Sequence, residues 1–227
     1  MYSIIIPAYN EEEALRDLVN RALASNPDAE VILVDDGSAD GTWDVMNTLA
    51  ENERVRAFRH ETNTGKAHAL RTGYLKANFE TIVTIDADMS YPPESIPVLV
   101  STFDQGFDMV IGSRFLNGIP KETSLVRSMA NIVGALIASA VLSRRITDLT
   151  TGLRVLNRRV AFMEMKADNL DYEAELTSRV ISRKMKYAEV PIAIEPRVGK
   201  SKLKFFQNCY LFMKAVFVGK FSLKTQD

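Results

Sequence analysis

The stretch Val31-Ile32-Leu33-Val34-Asp35-Asp36-Gly37-Ser38 decides the fold. Four consecutive apolar residues run straight into a cluster of acidic and turn-forming ones. An unbroken apolar run fits a strand covered on both faces, not one half-open to water. The same succession occurs at Ile4-Ile5-Ile6-Pro7-Ala8-Tyr9-Asn10-Glu11 and at Thr81-Ile82-Val83-Thr84-Ile85-Asp86-Ala87-Asp88. Further β-rich runs fall at 54–58 and 108–111, with helical stretches at 11–24, 42–50, 66–77 and 94–103. Strand–helix alternation at this spacing implies right-handed βαβ units, hence an α/β fold with a Rossmann-like, mostly parallel sheet flanked by helices. Such sheets bind ligands beyond the carboxyl ends of their strands, where the polar clusters sit.

The 227 residues are 46% hydrophobic and 25% charged, a globular composition. A chain of this length buries roughly 70% of its unfolded surface. The single cysteine, Cys209, excludes a disulfide framework or a Cys-rich zinc site and fits a reducing compartment. No 18-residue apolar run is read, so a spanning helix is not expected, and Pro7 ends the first apolar run too soon for a signal peptide. The net charge of −1 hides an asymmetry: residues 1–126 carry 10 Lys and Arg against 20 Asp and Glu, and residues 127–227 carry 18 against 9. The acidic half suits a metal site and the basic half an anionic partner, although charge runs are most often solvated faces.

The second half is less regular. An apolar helix is expected over 129–142, bracketed by Arg127 and Arg144-Arg145; fourteen residues reach about 21 Å, too short for a hydrocarbon core of about 30 Å. A helix near 172–184 and a strand near 188–194 follow. Residues 203–227 form a basic, aromatic-rich helical segment, appended to a catalytic domain over 1–202. There Leu203, Phe206, Tyr210, Met213 and Phe217 recur at helical spacing among lysines, as an interfacial helix or a core stripe would.

Asp86 and Asp88 stand at i and i+2 at the end of an apolar strand, so their side chains are expected on one side. Two like charges so placed are a poor structural choice, and a divalent cation resolves it; Mg²⁺ takes one or two carboxylates plus substrate phosphates, and Mn²⁺ accepts the same hard oxygens. The bland reading, a pair of solvated turn residues, is weakened by the strand context. Asp35 to Thr42 reads first as turn and cap chemistry, with Asp40 or Thr42 capping the next helix. Asn63-Thr64-Gly65-Lys66 at a helix start resembles a phosphate nest but is no P-loop, and no Gly-x-Gly-x-x-Gly follows the first strand. Ser124 is read as an N-cap that puts Arg127 in the first helical turn, where a cation opposes the helix dipole by about 0.3–1 kcal/mol, which points to a bound anion or, equally, to a surface salt bridge. Arg114 follows the fifth strand onto the same edge. His60 and His68 lie near no Ser or Cys nucleophile pattern, which argues against a triad.

Taken together these blocks resemble the inverting GT-A glycosyltransferases of family 2, in the dolichol-phosphate mannose synthase-like branch. The matching blocks are 4–11, 34–38, 63–66, 86–88, 112–114, Asp148-Leu149-Thr150-Thr151-Gly152-Leu153-Arg154, 189–192 and 197–203, in the family's order. The resemblance implies that Pro7, Tyr9, Glu11, Val34 and Asp36 hold the donor nucleoside. It implies that Asp86, Ala87 and Asp88 meet the donor, the two aspartates holding Mg²⁺ or Mn²⁺ on its diphosphate. Arg114 and Arg127 would gather the acceptor phosphate, and Arg197 and Lys202 the donor diphosphate. The basic loop is one residue shorter than in the eukaryotic enzymes, and Ser90 stands where some relatives have a metal-binding glutamine.

The expected function is transfer of a hexose, mannose first, from a nucleotide sugar (GDP-mannose) to a polyprenyl or dolichyl phosphate. The chain would then work on the cytoplasmic face of a membrane, as a peripheral protein or with a membrane-spanning partner subunit, and no nucleic-acid partner is expected. A UDP-sugar donor or a soluble acceptor is the nearest rival. A haloacid-dehalogenase-like phosphatase also places Asp-x-Asp after a strand but needs a downstream acidic pair that is not evident. A non-catalytic membrane-binding module would leave the acidic edge without a purpose.

Overall fold

The computed structural model describes residues 1–168, 171–199 and 205–221, the side chains of 205–210 excepted. Seven strands form one sheet: β1 (Tyr2–Ala8), β2 (Ala29–Asp35), β3 (Val55–Arg59), β4 (Thr81–Thr84), β5 (Met109–Ser113), β6 (Arg154–Asn157) and β7 (Tyr187–Pro191). Their order is β3-β2-β1-β4-β6-β5-β7, with β6 antiparallel to both neighbours and every other pair parallel. The helices are α1 (Glu12–Ser25), α2 (Thr42–Leu49), α3 (Lys66–Lys76), α4 (Ile96–Phe103), α5 (Leu125–Leu142), α6 (Arg158–Ala161), α7 (Tyr172–Ser182) and α8 (Phe205–Phe221).

Strand alternation sends Ile4 and Ile6 to one face, where they meet Leu15, Leu18 and Met46 of α1 and α2. Ile5 goes to the other, with Leu70 and Tyr74 of α3 and Leu176 of α7. All three isoleucines are fully buried, which is why their run is unbroken. Helix α1 buries Ala14, Leu15, Leu18, Val19 and Ala22 on one stripe and starts with Glu12 and Glu13, favourable at the positive end of its dipole. The mostly parallel α/β sheet is therefore as expected, and the carboxyl ends of β1, β2, β4 and β5 share one edge.

The structure corrects four expectations. A seventh strand, β6, wedges between β4 and β5; its four residues are bounded by Thr151-Gly152 and carry a buried Arg154, so no apolar run announces it. Strand β4 stops at Thr84, so Asp86 and Asp88 lie in the following turn, where strand alternation does not govern them and Met89 takes φ +64°. Helix α5 begins at Leu125 and has 18 residues, about 27 Å. With a mean hydropathy of 1.8 it is long and apolar enough to cross a membrane by length and composition, contrary to the fourteen-residue reading. Finally, of the two readings of the C-terminal helix, the core stripe is not met by its described residues. Ala215, Val216 and Gly219 face the fold, and Phe217 is exposed. A Cβ on Gly219 would lie 2.5 Å from Ser178 Cβ, so α8 rides close on α7. Leu203 and the side chains of Phe206 and Tyr210 lie outside the described residues.

Helix α5 packs on α7 and α8 through Ala135, Ala138, Val141 and Leu142. Its other side leaves Leu125, Val126, Met129, Val133, Leu136 and Ile137 exposed, an apolar face much larger than the scattered single residues usual on soluble surfaces.

Candidate active site

The loops at the carboxyl edge are locked to one another before any ligand is considered. Asn10, at φ +51°, donates its amide to Ser38 Oγ (2.9 Å) and accepts the Ala39 N–H on its side chain (2.8 Å). Glu11 donates its amide to Thr42 Oγ1 and Asp40 accepts the Thr42 N–H at 3.0 Å, although Gly41, not Asp40 or Thr42, stands at the N-cap of α2. The first two strand ends are thereby joined.

Asp36 is buried and accepts from His60 Nδ1 (2.8 Å), the Thr64 amide (3.0 Å) and hydroxyl (2.9 Å), and the Gly65 amide (2.8 Å). These bonds fix the His60 ring, whose Nε2 meets Thr72 Oγ1 at 2.9 Å on its other side. They also correct the phosphate-nest reading of 63–66, because the amides that would cradle a phosphate already bind Asp36. Pro7 and Val34 pair in register, and Val34 is wholly buried in the core, so its side chain supports the strand end and does not reach the cleft. Tyr9 stands beyond the end of β1, half-buried beside the cleft.

The Asp86-Ala87-Asp88 turn sits at the centre of this edge, between β1 and β6. Asp86 forms an ion pair with Lys66, Nζ to Oδ1 2.5 Å, and Lys66 reaches Glu173 Oε1 at 2.5 Å on its other side. Burial pulls the Lys66 ammonium down, but the two carboxylates outweigh it and hold it well above the ordinary lysine range. Gly152 backs the same carboxylate: a Cβ there would fall 2.4 Å from Asp86 Cγ and both oxygens. Thr84 Oγ1 donates to the Gly152 carbonyl, and the Gly152 amide donates to the Tyr91 hydroxyl at 3.1 Å, which fixes that backbone. Ala87 is buried.

Asp88 accepts the Ser90 amide on Oδ1 (2.9 Å) and Arg197 Nη1 on Oδ2 (2.6 Å). Arg197 also reaches Glu11 Oε1 through Nη2 at 3.1 Å, so it bridges the ends of β1 and β4. Its Nε is buried with no hydrogen-bond acceptor among the described residues. The loop carrying it is anchored by Val198 and Glu195 amides on the Asp88 and Ser90 carbonyls, and by Glu195 on Arg21 of α1. Glu11, Asp88 and Arg197 are thus gathered as expected; Lys202 lies outside the described residues.

Arg114 makes a bidentate pair with the fully buried Asp148, Nε to Oδ2 2.6 Å and Nη2 to Oδ1 2.8 Å, and Nη2 also donates to Thr150 Oγ1. Burial lowers and Asp148 raises its pKa, with a net upward shift, so the guanidinium stays cationic. Its plane stands over the Tyr91 and Phe115 rings. Thr150 in turn donates to Asn131 of α5, which ties the Arg114 pair to the apolar helix. Arg127 is exposed in the first turn of α5, its amide on Ser124 Oγ as the capping pattern implies. No contact joins Arg114 to Arg127 among the described residues.

Among the described residues no group of three or more His, Cys, Asp or Glu could hold a metal alone. Two carboxylates in one turn, with a glycine cleared away behind one of them, instead suit a Mg²⁺ or Mn²⁺ ion that draws its other oxygens from a diphosphate. The donor set fits that group. Sequence reading missed three contributors: Lys66 as the partner of Asp86, Glu173 behind it, and Asp148 under Arg114. Asp148 and Gly152 stood in a quoted block with no role attached, and Glu173 on a stretch read only as helix.

The model of the family described as Glycosyl transferase family 2 matches residues 3–162. An undecaprenyl-phosphate 4-deoxy-4-formamido-L-arabinose transferase of Photorhabdus laumondii is 33% identical over 94% of this chain, which spans 64% of that protein's length. An undecaprenyl-phosphate mannosyltransferase of Micrococcus luteus is 32% identical over 88% of this chain and 86% of its own. In three dimensions, glucosyl-3-phosphoglycerate synthase from Mycobacterium tuberculosis, solved with Mn²⁺, uridine diphosphate and phosphoglyceric acid, superposes with a TM-score of 0.74 at 19% identity, covering 98% of this chain and 78% of that one. That likeness establishes the GT-A fold. By its sequence and its sheet, the chain belongs to glycosyl transferase family 2, on the dolichol-phosphate mannose synthase-like branch.

Proposed function

We propose that this chain transfers a hexose, mannose from GDP-mannose first, onto a polyprenyl phosphate with inversion at the anomeric carbon. The observation that carries the reading is the 86–88 turn, two carboxylates at the centre of the carboxyl edge with cationic side chains on either side. Asp86 and Asp88 would hold Mg²⁺ or Mn²⁺, which supplies charge stabilisation for the departing nucleoside diphosphate. Glu11, Tyr9 and the Asp36 loop would line the nucleoside. Arg197 carries a buried Nε–H without an acceptor among the described residues and would donate it to a diphosphate oxygen. Arg114 and the exposed Arg127 would take the acceptor phosphate.

A phosphate monoester has its second pKa near about 6, so its oxygen is anionic at neutral pH and attacks without a protein base. That oxygen bonds to the anomeric carbon while the bond from carbon to diphosphate oxygen breaks and the electron pair leaves with the diphosphate. The chain's work is to align two anions and neutralise them.

The exposed face of α5, flanked by Lys121, Arg127, Arg144 and Arg145, supports docking on an anionic membrane surface on the cytoplasmic side, with or without a membrane-spanning partner. A UDP-sugar donor is the second reading, because the relatives' names carry different sugars, 4-deoxy-4-formamido-L-arabinose in one and mannose in another. Thermal shifts with nucleoside diphosphates and Mn²⁺, followed by transfer of a labelled sugar to polyprenyl phosphate, test both. Stabilisation by GDP with Mn²⁺ and labelled lipid from GDP-mannose are expected. Stabilisation by UDP alone would replace the donor, and no stabilisation by any nucleotide would overturn the function.

A further inference from the structure

Lys66 opens α3, where the positive end of the helix dipole disfavours a cation. It is held there by two acids from distant parts of the chain, Asp86 after β4 and Glu173 in the first turn of α7, each at 2.5 Å. Glu173 is almost wholly buried, and its Oε1 has no hydrogen-bond partner among the described residues apart from this ion pair. A buried carboxylate facing a second carboxylate is costly unless a cation stands between them. If α7 needed only an acid for its dipole, the solvent side of its first turn would serve. The Gly152 backbone also comes so close to the Asp86 carboxylate that no Cβ fits. The carboxylate is therefore held by an ammonium and crowded by a main chain.

We propose that Lys66 and Glu173 are positioning residues: Glu173 fixes Lys66, and Lys66 fixes the orientation of Asp86 for a divalent cation carried by a nucleoside diphosphate. The proposal deepens the function above and rests on it. A carboxylate that ligates a metal is oriented by a hydrogen-bonded partner behind it, and loss of such a partner typically weakens metal affinity by about 10–100-fold. Lys66 and Glu173 fill that place from α3 and α7, elements distant from Asp86 along the chain.

The test is Mn²⁺ binding in the presence of GDP, followed by electron paramagnetic resonance, with melting temperatures measured on the same samples. Glu173→Gln and Lys66→Met are each expected to weaken Mn²⁺ binding about tenfold or more. Lys66→Arg, which keeps the charge, should recover most of the loss. Glu173→Gln, nearly identical in shape, guards against Lys66→Met failing to fold. Asp86→Asn is the reference for losing the ligand itself. If wild type binds Mn²⁺ with GDP and Asp86→Asn does not, while both positioning variants bind within twofold of wild type, this inference is wrong and the function stands. A melting-temperature drop with unchanged Mn²⁺ affinity would likewise reduce the pair to structural support. If wild type takes up no Mn²⁺ with GDP or with UDP, the function fails and this inference with it.

Discussion

Replacing Gly152 by alanine asks whether the Asp86 carboxylate must stay where the fold holds it. The new methyl would sit 2.4 Å from Asp86 Cγ and from both oxygens, about 1 Å inside ordinary contact. Asp86 cannot retreat freely, because Lys66 grips Oδ1 at 2.5 Å, and the Gly152 backbone is itself tied to Thr84 and Tyr91. The strain therefore moves the carboxylate by about 1 Å, a displacement that can cost about 10²-fold in rate. Overpacking of this kind costs about 1–3 kcal/mol, which for a domain of this size lowers the melting temperature by about 2–12 °C. The assay is labelled-sugar transfer at saturating donor, run beside differential scanning calorimetry. Gly134→Ala on α5 is the control, since a Cβ there meets nothing within 4 Å; it should leave turnover unchanged and add up to about 1 kcal/mol of stability. Gly152→Ala turning over within threefold of wild type would refute the claim that this carboxylate is placed for chemistry.

Asp88→Ala should reduce transfer about 100-fold or more and, by freeing Arg197 from one of its two anchors, speed proteolysis in the 192–199 loop; unchanged cleavage would contradict the bridge. Asp148→Ala leaves the half-buried Arg114 without its bidentate partner and should destabilise the fold by about 3–5 kcal/mol in denaturant unfolding, against under 1 kcal/mol for a surface pair. Turnover should rise with pH through about 6 as the acceptor phosphate ionises and then stay flat to pH 9. Lys66 and Arg114 are raised above their ordinary values, so their contribution is fully present below the unfolded pKa and is lost only above it; a falling limb between pH 7 and 9 in a pH–rate profile would contradict this. Leu136→Glu, at a position 64% exposed on α5, should abolish flotation with anionic liposomes while leaving the melting temperature within about 1–2 °C, and full flotation would remove α5 from the docking face.

The parallel strands were legible because burial on both faces leaves unbroken apolar runs such as Ile4-Ile5-Ile6. The 86–88 turn was legible because paired acids after such a run have few structural uses. The strand β6 was not, since its first residue is Arg154, buried by bonds to the Leu149 and Thr151 carbonyls and Thr177 Oγ1 that no periodicity foretells. Nor were the partners of the site. Asp148 lies 34 positions from Arg114, and Glu173 and Glu175 sit buried on α7 where charge normally marks a solvated face. The start of α5 is illegible for the opposite reason: Leu125 and Val126 are exposed and Arg127 follows them, so the uninterrupted apolar run in the sequence begins at Met129.

The most direct measurement is an anomalous-scattering map at the manganese edge from crystals soaked with Mn²⁺ and GDP. The account predicts one peak about 2.0–2.2 Å from carboxylate oxygens of both Asp86 and Asp88, with Arg197 turned from Asp88 toward the diphosphate. A bound GDP with no peak there, and both acids still closed on Lys66 and Arg197, would contradict it.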